Sequence, residues 1–380
     1  MKINHNISKP NGNSAFSALV FFLAAIMLFF VLLPDSYPAF GQNAVDESPV
    51  VFPGESWERI QDPSSAGYTA EGLAAVREYV KTLDTTGLMV IVGGRVLFEY
   101  GDLEQTSYIA SVRKSILAIL YGKYVYDGTI RLNTTLEELG ITDHGGLLPI
   151  ERKATINHLI TARSGIYHPA SNGGDSTAHA PERGSQELGT YFLYNNWDFN
   201  CAGAVFEMLT HQVIYDALER DLAVPLGMQD FDRFKQRKSG NLSRSRFPAY
   251  HIWSSTRDMA RIGTLMLREG EWNGRRITPQ TWVQKITRAR THVEEMNPEP
   301  YRKGTFGYGY MWWVWDGAGA EGPYKGAYTA SGAYGQYITV LPVLDMVISH
   351  KTAVPPHKRY VRLNQYQGII DRLIAAHLQK

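Results

Sequence analysis

Strand-forming patterns occupy the two ends of the folded part of this sequence and nearly vanish from its middle. Leu88-Met89-Val90-Ile91-Val92 and Arg95-Val96-Leu97-Phe98-Glu99-Tyr100 are rich in β-branched and aromatic residues, with Gly93-Gly94 between them. Two glycines joining such runs suit a primed turn, which predicts a β-hairpin. Strand patterns return only at Tyr310 to Trp315, Gln336 to Leu341 and Met346 to His350. The interval is helical in its spacing, at Ser111–Tyr126, Ile156–Thr161, Phe199–Thr210, Ser255–Glu269 and Pro279–Ile286. Glu71–Lys81 and Tyr360–Leu378 add a helix at each end. Early and late strands can pair into one antiparallel sheet with the terminal helices packed on a face of it. The fold class expected is therefore α+β, with a mainly helical lobe (about 111–290) inserted into it. The crevice between the lobes is the natural place for a site.

The N-terminus bears on where such a domain works. Lys2 and Lys9 precede an apolar run from Phe16 to Leu33, followed by Pro34-Asp35 and the small-residue stretch Ala39-Phe40-Gly41. This pattern predicts a signal peptide over residues 1–41. The run is also nearly long enough to span a bilayer, so an uncleaved membrane anchor through residues 16–33 is the alternative. Either way residues 42–380 are expected to act outside the cytoplasm, as a periplasmic or extracellular domain or one held at the membrane.

Composition excludes several classes of function. A formal net charge of +1 offers no global field for nucleic acid, and no nucleic-acid partner is expected. The densest basic stretch, Lys235 to Arg246, reads as a solvated loop. The single cysteine, Cys201, rules out an internal disulfide and a cysteine-based metal site; its apolar helical surroundings make it a small buried hydrophobe. With no CxxC, HExxH or Walker-type loop, neither metal nor organic cofactor is expected.

Three short stretches can carry chemistry. Tyr108-Ile109-Ala110-Ser111-Val112-Arg113-Lys114-Ser115 opens a helix and contains an S-x-x-K. Residues three apart share a helix face, so the Ser111 hydroxyl and the Lys114 amine can meet, with Val112 and Arg113 pointing elsewhere. The unpaired N–H at the helix start suits a developing oxyanion. A serine needs a base, and Lys114 can serve only if burial and a cationic neighbourhood lower its pKa. Taken alone the motif is weak, since one is expected about once by chance in such a chain, and a serine N-cap followed by an exposed lysine is then the simpler account of it. Ser115 lies on the same face and reads as structural.

The second stretch, Tyr194-Asn195-Asn196-Trp197-Asp198-Phe199-Asn200, places a phenol and an amide before the Asn200–Thr210 helix. The phenol can relay a proton, and the amide can bind a carbonyl or hold the lysine. The third, Ala330-Ser331-Gly332-Ala333-Tyr334-Gly335-Gln336, leads into a strand. Its glycines allow backbone to approach a ligand, with the Ala333 N–H a second oxyanion donor. An aromatic turn and a plain turn are the bland readings of these two.

In this order and spacing the stretches resemble the class C β-lactamase-like, penicillin-recognising serine hydrolase family. Ile156-Asn157-His158-Leu159-Ile160-Thr161, Ser255-Thr256-Arg257-Asp258-Met259-Ala260 and Gly270-Glu271-Trp272-Asn273-Gly274 extend the likeness from about Ser65 to the end. The run from Tyr194 to Asn200 looks most like the 6-aminohexanoate-dimer hydrolase and esterase branch. The resemblance implies Ser111 as nucleophile and Lys114 with Tyr194 as the acid–base pair. It also implies substrate contacts from Asn196, Ser331, Gly332, Ala333 and Tyr334, and the Ser111 and Ala333 amides as oxyanion hole.

One departure stands out. The family usually has Lys or His before the Thr/Ser-Gly pair, and here that position is Ala330. Without that cation, anionic substrates are expected to bind poorly. A small-molecule ester or amide is thus the expected substrate. The alternatives are a β-lactamase or D-alanyl-D-alanine carboxypeptidase acting on cell-wall peptides, and a non-catalytic penicillin-binding-type receptor. Tyr308, Tyr310, Trp312, Trp313 and Tyr334 could line an apolar pocket or belong to sheet core. The aperiodic stretch Gly165–Gly189, with His168 and His179, could be a flap over the crevice or an ordinary long loop.

Overall fold

The computed structural model describes residues 50–353 and 359–378. The segment read as a signal peptide or anchor lies outside them. Among the described residues no helix is long and apolar enough to cross a membrane.

The elements that position the site are, in chain order, α1 (Ala70–Lys81), β1 (Gly87–Val92), β2 (Arg95–Gly101), α2 (Val112–Tyr126), α3 (Asn196–Thr210), α4 (Thr256–Leu267), β3 (Phe306–Tyr308), β4 (Trp313–Trp315), β5 (Tyr328–Gly332), β6 (Gln336–Leu341), β7 (Met346–Lys351) and α5 (Leu363–Ala375). The seven strands make one antiparallel sheet in the order β2-β1-β7-β6-β5-β4-β3. The early hairpin adds to the late strands through β1 and β7, with Val90 opposite Ile348. Gly93 and Gly94 both take positive φ, 58° and 80°, as a primed turn requires.

Alternation along β1 explains why its sequence is apolar throughout. Leu88 and Val90 join a core with Val76 and Val80 of α1 and Ile369, Ile370 and Leu373 of α5. Met89 and Ile91 face the opposite way, into a larger core shared with α2, α3 and α4. A sheet covered on both faces has no polar side to show. The α+β fold class expected from the sequence is the one found. α4 lies directly on β1, β6 and β7, so this part of the middle region belongs to the sheet rather than to the inserted lobe.

Several local expectations are corrected. The run Tyr310 to Trp315 is not one strand: β3 and β4 flank a turn at Gly309–Trp312, with Met311 at φ 61°. The stretch beginning at Ala330 leads into β6 as expected, but its first three residues are themselves the end of a strand, because Tyr328–Gly332 pairs with β6 and the turn falls at Ala333–Gly335. The Lys235–Arg246 segment is not wholly loop, since Arg237–Ser239 pairs with Ala249–His251. The last helix starts at Leu363, not Tyr360. Cys201 is buried in α3.

Candidate active site

Ala110 turns the chain with φ 48°, a left-handed conformation that costs an alanine about 1–2 kcal/mol. The turn delivers Ser111 to the start of α2 with φ −75° and ψ −7°, and its side chain makes no capping hydrogen bond. A capping serine takes extended backbone and spends its hydroxyl on the helix. Ser111 does neither, so its half-buried Oγ is available. The Ser111 and Ala333 N–H groups find no backbone acceptor among the described residues. Ser115, on the same helix, donates its hydroxyl to the Met311 carbonyl at 2.6 Å and is committed to packing.

Lys114 is 1% exposed. Its Nζ stands 3.2 Å from Ser111 Oγ, 2.6 Å from the Tyr194 hydroxyl and 2.7 Å from Asn196 Oδ1. The rings of Tyr194 and Phe199 lie 4.1 and 4.4 Å from it. No carboxylate among the described residues forms an ion pair with it. Burial above all, with the positive charge of Arg113 next, holds its pKa well below the usual lysine range, against a smaller opposing pull from Asp175. A neutral amine fits the three contacts. One N–H goes to Asn196 Oδ1, and its lone pair can receive a proton from an O–H group. Tyr194 behaves inversely. Burial raises its pKa, outweighing the Ser111 hydroxyl and the Arg113 charge, so it remains a phenol with a proton to give.

The segment carrying Tyr194 is anchored by helix capping. Asn195 is the N-cap of α3, accepting the Asp198 N–H at 2.8 Å, so the helix begins at Asn196 rather than near Asn200. Asn196 is therefore fixed in the first turn. Its amide Nδ2 donates to the Gly173 carbonyl and its backbone N–H to Asp175, both at 2.8 Å. These bonds make the Gly165–Gly189 stretch a wall of the site rather than a free flap. His168 is buried within it, bonded to the His144 carbonyl at 2.7 Å, while His179 is exposed on its outer side.

The third stretch closes the crevice. Gly332 packs on the start of α2: a β-carbon there would stand 2.5 Å from the Ile109 carbonyl oxygen and 3.1 Å from the Ser111 nitrogen. Ala333 and Tyr334 are exposed on the following turn, Tyr334 with φ 67°. Ala330 is fully buried in the core opposite Ile338. Ser331 is half-buried and lines a cavity of about 270 Å³ with Thr329, Tyr301, Phe306, Trp313 and Leu363. The Trp313 ring lies 5.4 Å from that of Tyr194, joining cavity and site. Of the five aromatics considered from the sequence, Trp313 lines this cavity. Tyr308, Tyr310 and Trp312 are core, and Tyr334 is 45% exposed.

Ser111, Lys114, Tyr194 and Asn196 thus meet at one point, with Gly332 against it and Ser331, Ala333 and Tyr334 along its rim. Sequence reasoning missed Asp175, in an irregular segment, and Tyr301, in the short 3-10 helix Glu299–Lys303. It also directed Arg113 away from the site, whereas its charge bears on Lys114.

The sequence profile of the beta-lactamase family, described as Beta-lactamase, matches residues 74–352. No curated protein sequence matches the chain. Among solved structures it is similar to a protein from Bacillus anthracis named as a 6-aminohexanoate-dimer hydrolase, with 19% identity, TM-score 0.58, and 79% of this chain and 80% of the other covered. It is similar to EstCE1, a hydrolase with promiscuous acyltransferase activity (15%, TM-score 0.58, covering 82% and 99%). A penicillin-binding protein homologue from Caulobacter crescentus is a third (13%, TM-score 0.60, covering 82% and 99%). At these identities the structures speak for the fold.

Proposed function

The chain belongs to the beta-lactamase family, whose members are hydrolases, and on that premise we propose that it is a serine hydrolase cleaving a small ester or amide through an acyl-Ser111 intermediate. The observation that carries this reading is the buried Lys114 amine, in reach of both the Ser111 hydroxyl and the Tyr194 phenol. Neutral Lys114 takes the Ser111 proton as Oγ attacks the carbonyl carbon. The Ser111 and Ala333 N–H groups receive the oxyanion. Tyr194 supplies the proton that the leaving oxygen or nitrogen needs, and water then releases the acyl group by the reverse sequence.

Substrate class follows from what surrounds these groups. Ala330 brings no cation, and the cavity beside Ser331 is walled mainly by Trp313, Tyr301, Phe306 and Leu363. An uncharged, apolar acyl group of modest size fits there better than a carboxylate-bearing β-lactam or peptide terminus. With the N-terminal segment read as above, the enzyme works outside the cytoplasm, released or anchored through residues 16–33.

A fluorophosphonate probe is expected to label Ser111, and Ser111→Ala to abolish the labelling; an unlabelled wild type would favour the non-catalytic receptor. Short p-nitrophenyl esters are expected to turn over and a chromogenic cephalosporin to resist. Rapid cephalosporin hydrolysis would instead point to the β-lactamase alternative and overturn the reading of Ala330.

A further inference from the structure

Two consecutive cations of α2 meet two asparagines one turn apart on α3. Lys114 Nζ contacts Asn196 Oδ1 at 2.7 Å, and Arg113 donates from Nη2 to Asn200 Oδ1 at 3.0 Å. Both side chains are buried, Arg113 to 2% and Lys114 to 1% exposure. Neither forms an ion pair with a carboxylate among the described residues. The Arg113 guanidinium lies over the Tyr250 ring at 4.3 Å, and its Nη1 is buried without a hydrogen-bond partner. The Asn200 amide is oriented by donating to Asn172 Oδ1 at 2.8 Å, which turns its oxygen toward the guanidinium.

A buried charge without a counter-ion is costly, and such groups are ordinarily paired. A guanidinium holds its charge throughout the physiological range, whereas an amine can shed it. With two neighbouring cationic groups buried among neutral partners, the one able to lose its proton is the lysine. We propose that Arg113 is a positioning residue for the reaction, a permanently charged neighbour that keeps Lys114 in its neutral, proton-accepting form. Asn200 is neutral for the same reason: an aspartate there would cancel the field on which Lys114 depends.

This inference rests on Lys114 being the base. The groups acting on Lys114 besides Arg113 are Tyr194, which stays protonated, and Asp175 of the 165–189 wall, whose negative charge works in the opposite sense. Facing Arg113 are Tyr250 and His251 from the strand at 249–251, Tyr108 from the segment before α2, and Tyr215 from the helix Ile214–Leu218. The tyrosines are held protonated by burial, and His251 is pushed down to about 4, first by burial and then by Arg113, so it is neutral as well. None of these four supplies the missing negative charge.

The test is the pH profile of kcat/KM for p-nitrophenyl ester hydrolysis by the full chain, for wild type, Arg113→Lys, Arg113→Met and Asn200→Asp. Loss or neutralisation of the charge is expected to move the acid limb to higher pH by about one unit or more, the usual reach of a near charge. Below the limb that is about a tenfold loss of rate, recovered within a few-fold on the alkaline plateau. Arg113→Lys replaces the guanidinium with a second buried amine that can shed its proton, so it is expected to move the limb in the same direction. A limb unmoved in both Arg113→Met and Asn200→Asp, with only the plateau lowered, would show a purely structural arginine and overturn the proposal. Should Arg113→Met fail to fold, Asn200→Asp decides alone. If Ser111→Ala leaves wild-type activity intact, it is the serine-hydrolase reading that fails, a result distinct from an unmoved limb in a Ser111-dependent enzyme.

Discussion

Gly332 sits so close to Ser111 that a single added carbon would crowd the helix start: its β-carbon would lie 3.1 Å from the Ser111 nitrogen and 2.5 Å from the Ile109 carbonyl. Strand β5 is thereby locked against the N-terminus of α2, and the turn carrying Ala333 is placed beside the hydroxyl it would serve. On the proposed mechanism, packing and catalysis share one contact here.

Gly332→Ala is therefore expected to separate strand from helix and misplace the second oxyanion donor. Loss of one such donor typically costs 10²–10³ in kcat, and about that loss is expected, with KM changing little. Steady-state kinetics check it, and circular dichroism should still report a folded protein. A mutant with wild-type kcat would remove Ala333 from the oxyanion hole.

Ser111→Ala and Lys114→Met are each expected to lower ester hydrolysis by roughly four to six orders of magnitude, as when a nucleophile or its base is deleted elsewhere. The double mutant should be hardly worse than either alone, since the two act as a unit. Single-turnover assays with an activated ester measure all three; additive losses would mean that the pair does not act together.

Acid stability is expected to hinge partly on His350. Its ring is fully buried, donates from Nδ1 to the Gly335 carbonyl and accepts the Thr85 hydroxyl at Nε2, both at 2.9 Å. Burial, only partly offset by the Gly335 carbonyl, lowers its pKa from 6.5 to about 4. Between those values the unfolded chain binds the proton and the folded one does not. Stability from this group is thus present above pH 6.5 and lost as pH falls toward about 4. The loss is on the order of 3 kcal/mol. Urea unfolding across that window, with His350→Gln for comparison, measures it. An equal slope in the variant would exclude His350 as the cause.

Trp313→Leu should enlarge the cavity beside Ser331 while leaving Lys114 and Tyr194 in contact. The preferred p-nitrophenyl ester is expected to lengthen by one or more carbons, with the ratio of kcat/KM between long and short chains changing about tenfold. An unchanged chain-length profile would mean that the acyl group binds elsewhere.

Much of this was legible in the sequence because it is local. Runs rich in β-branched and aromatic residues, a Gly-Gly turn and helical spacing marked most of the sheet and both covering helices, and Ser111 and Lys114 share a face simply by being three apart in a helix. Where glycines broke the pattern, as at Phe306-Gly307-Tyr308, the strand was invisible until β4 paired with it. The end of β5 likewise resembled a turn, because Ser331-Gly332 has no β-branched residue to declare it.

What only the tertiary structure decided is the electrostatic state of the site. Whether Lys114 is an exposed ammonium or a buried amine depends on α3 laying Asn196 and Phe199 over it, and on a phenol eighty positions away arriving at 2.6 Å. Sequence sets which groups exist and their local order along an element. Their charge depends on desolvation and on neighbours brought from distant segments, quantities that have no value until the chain has closed on itself.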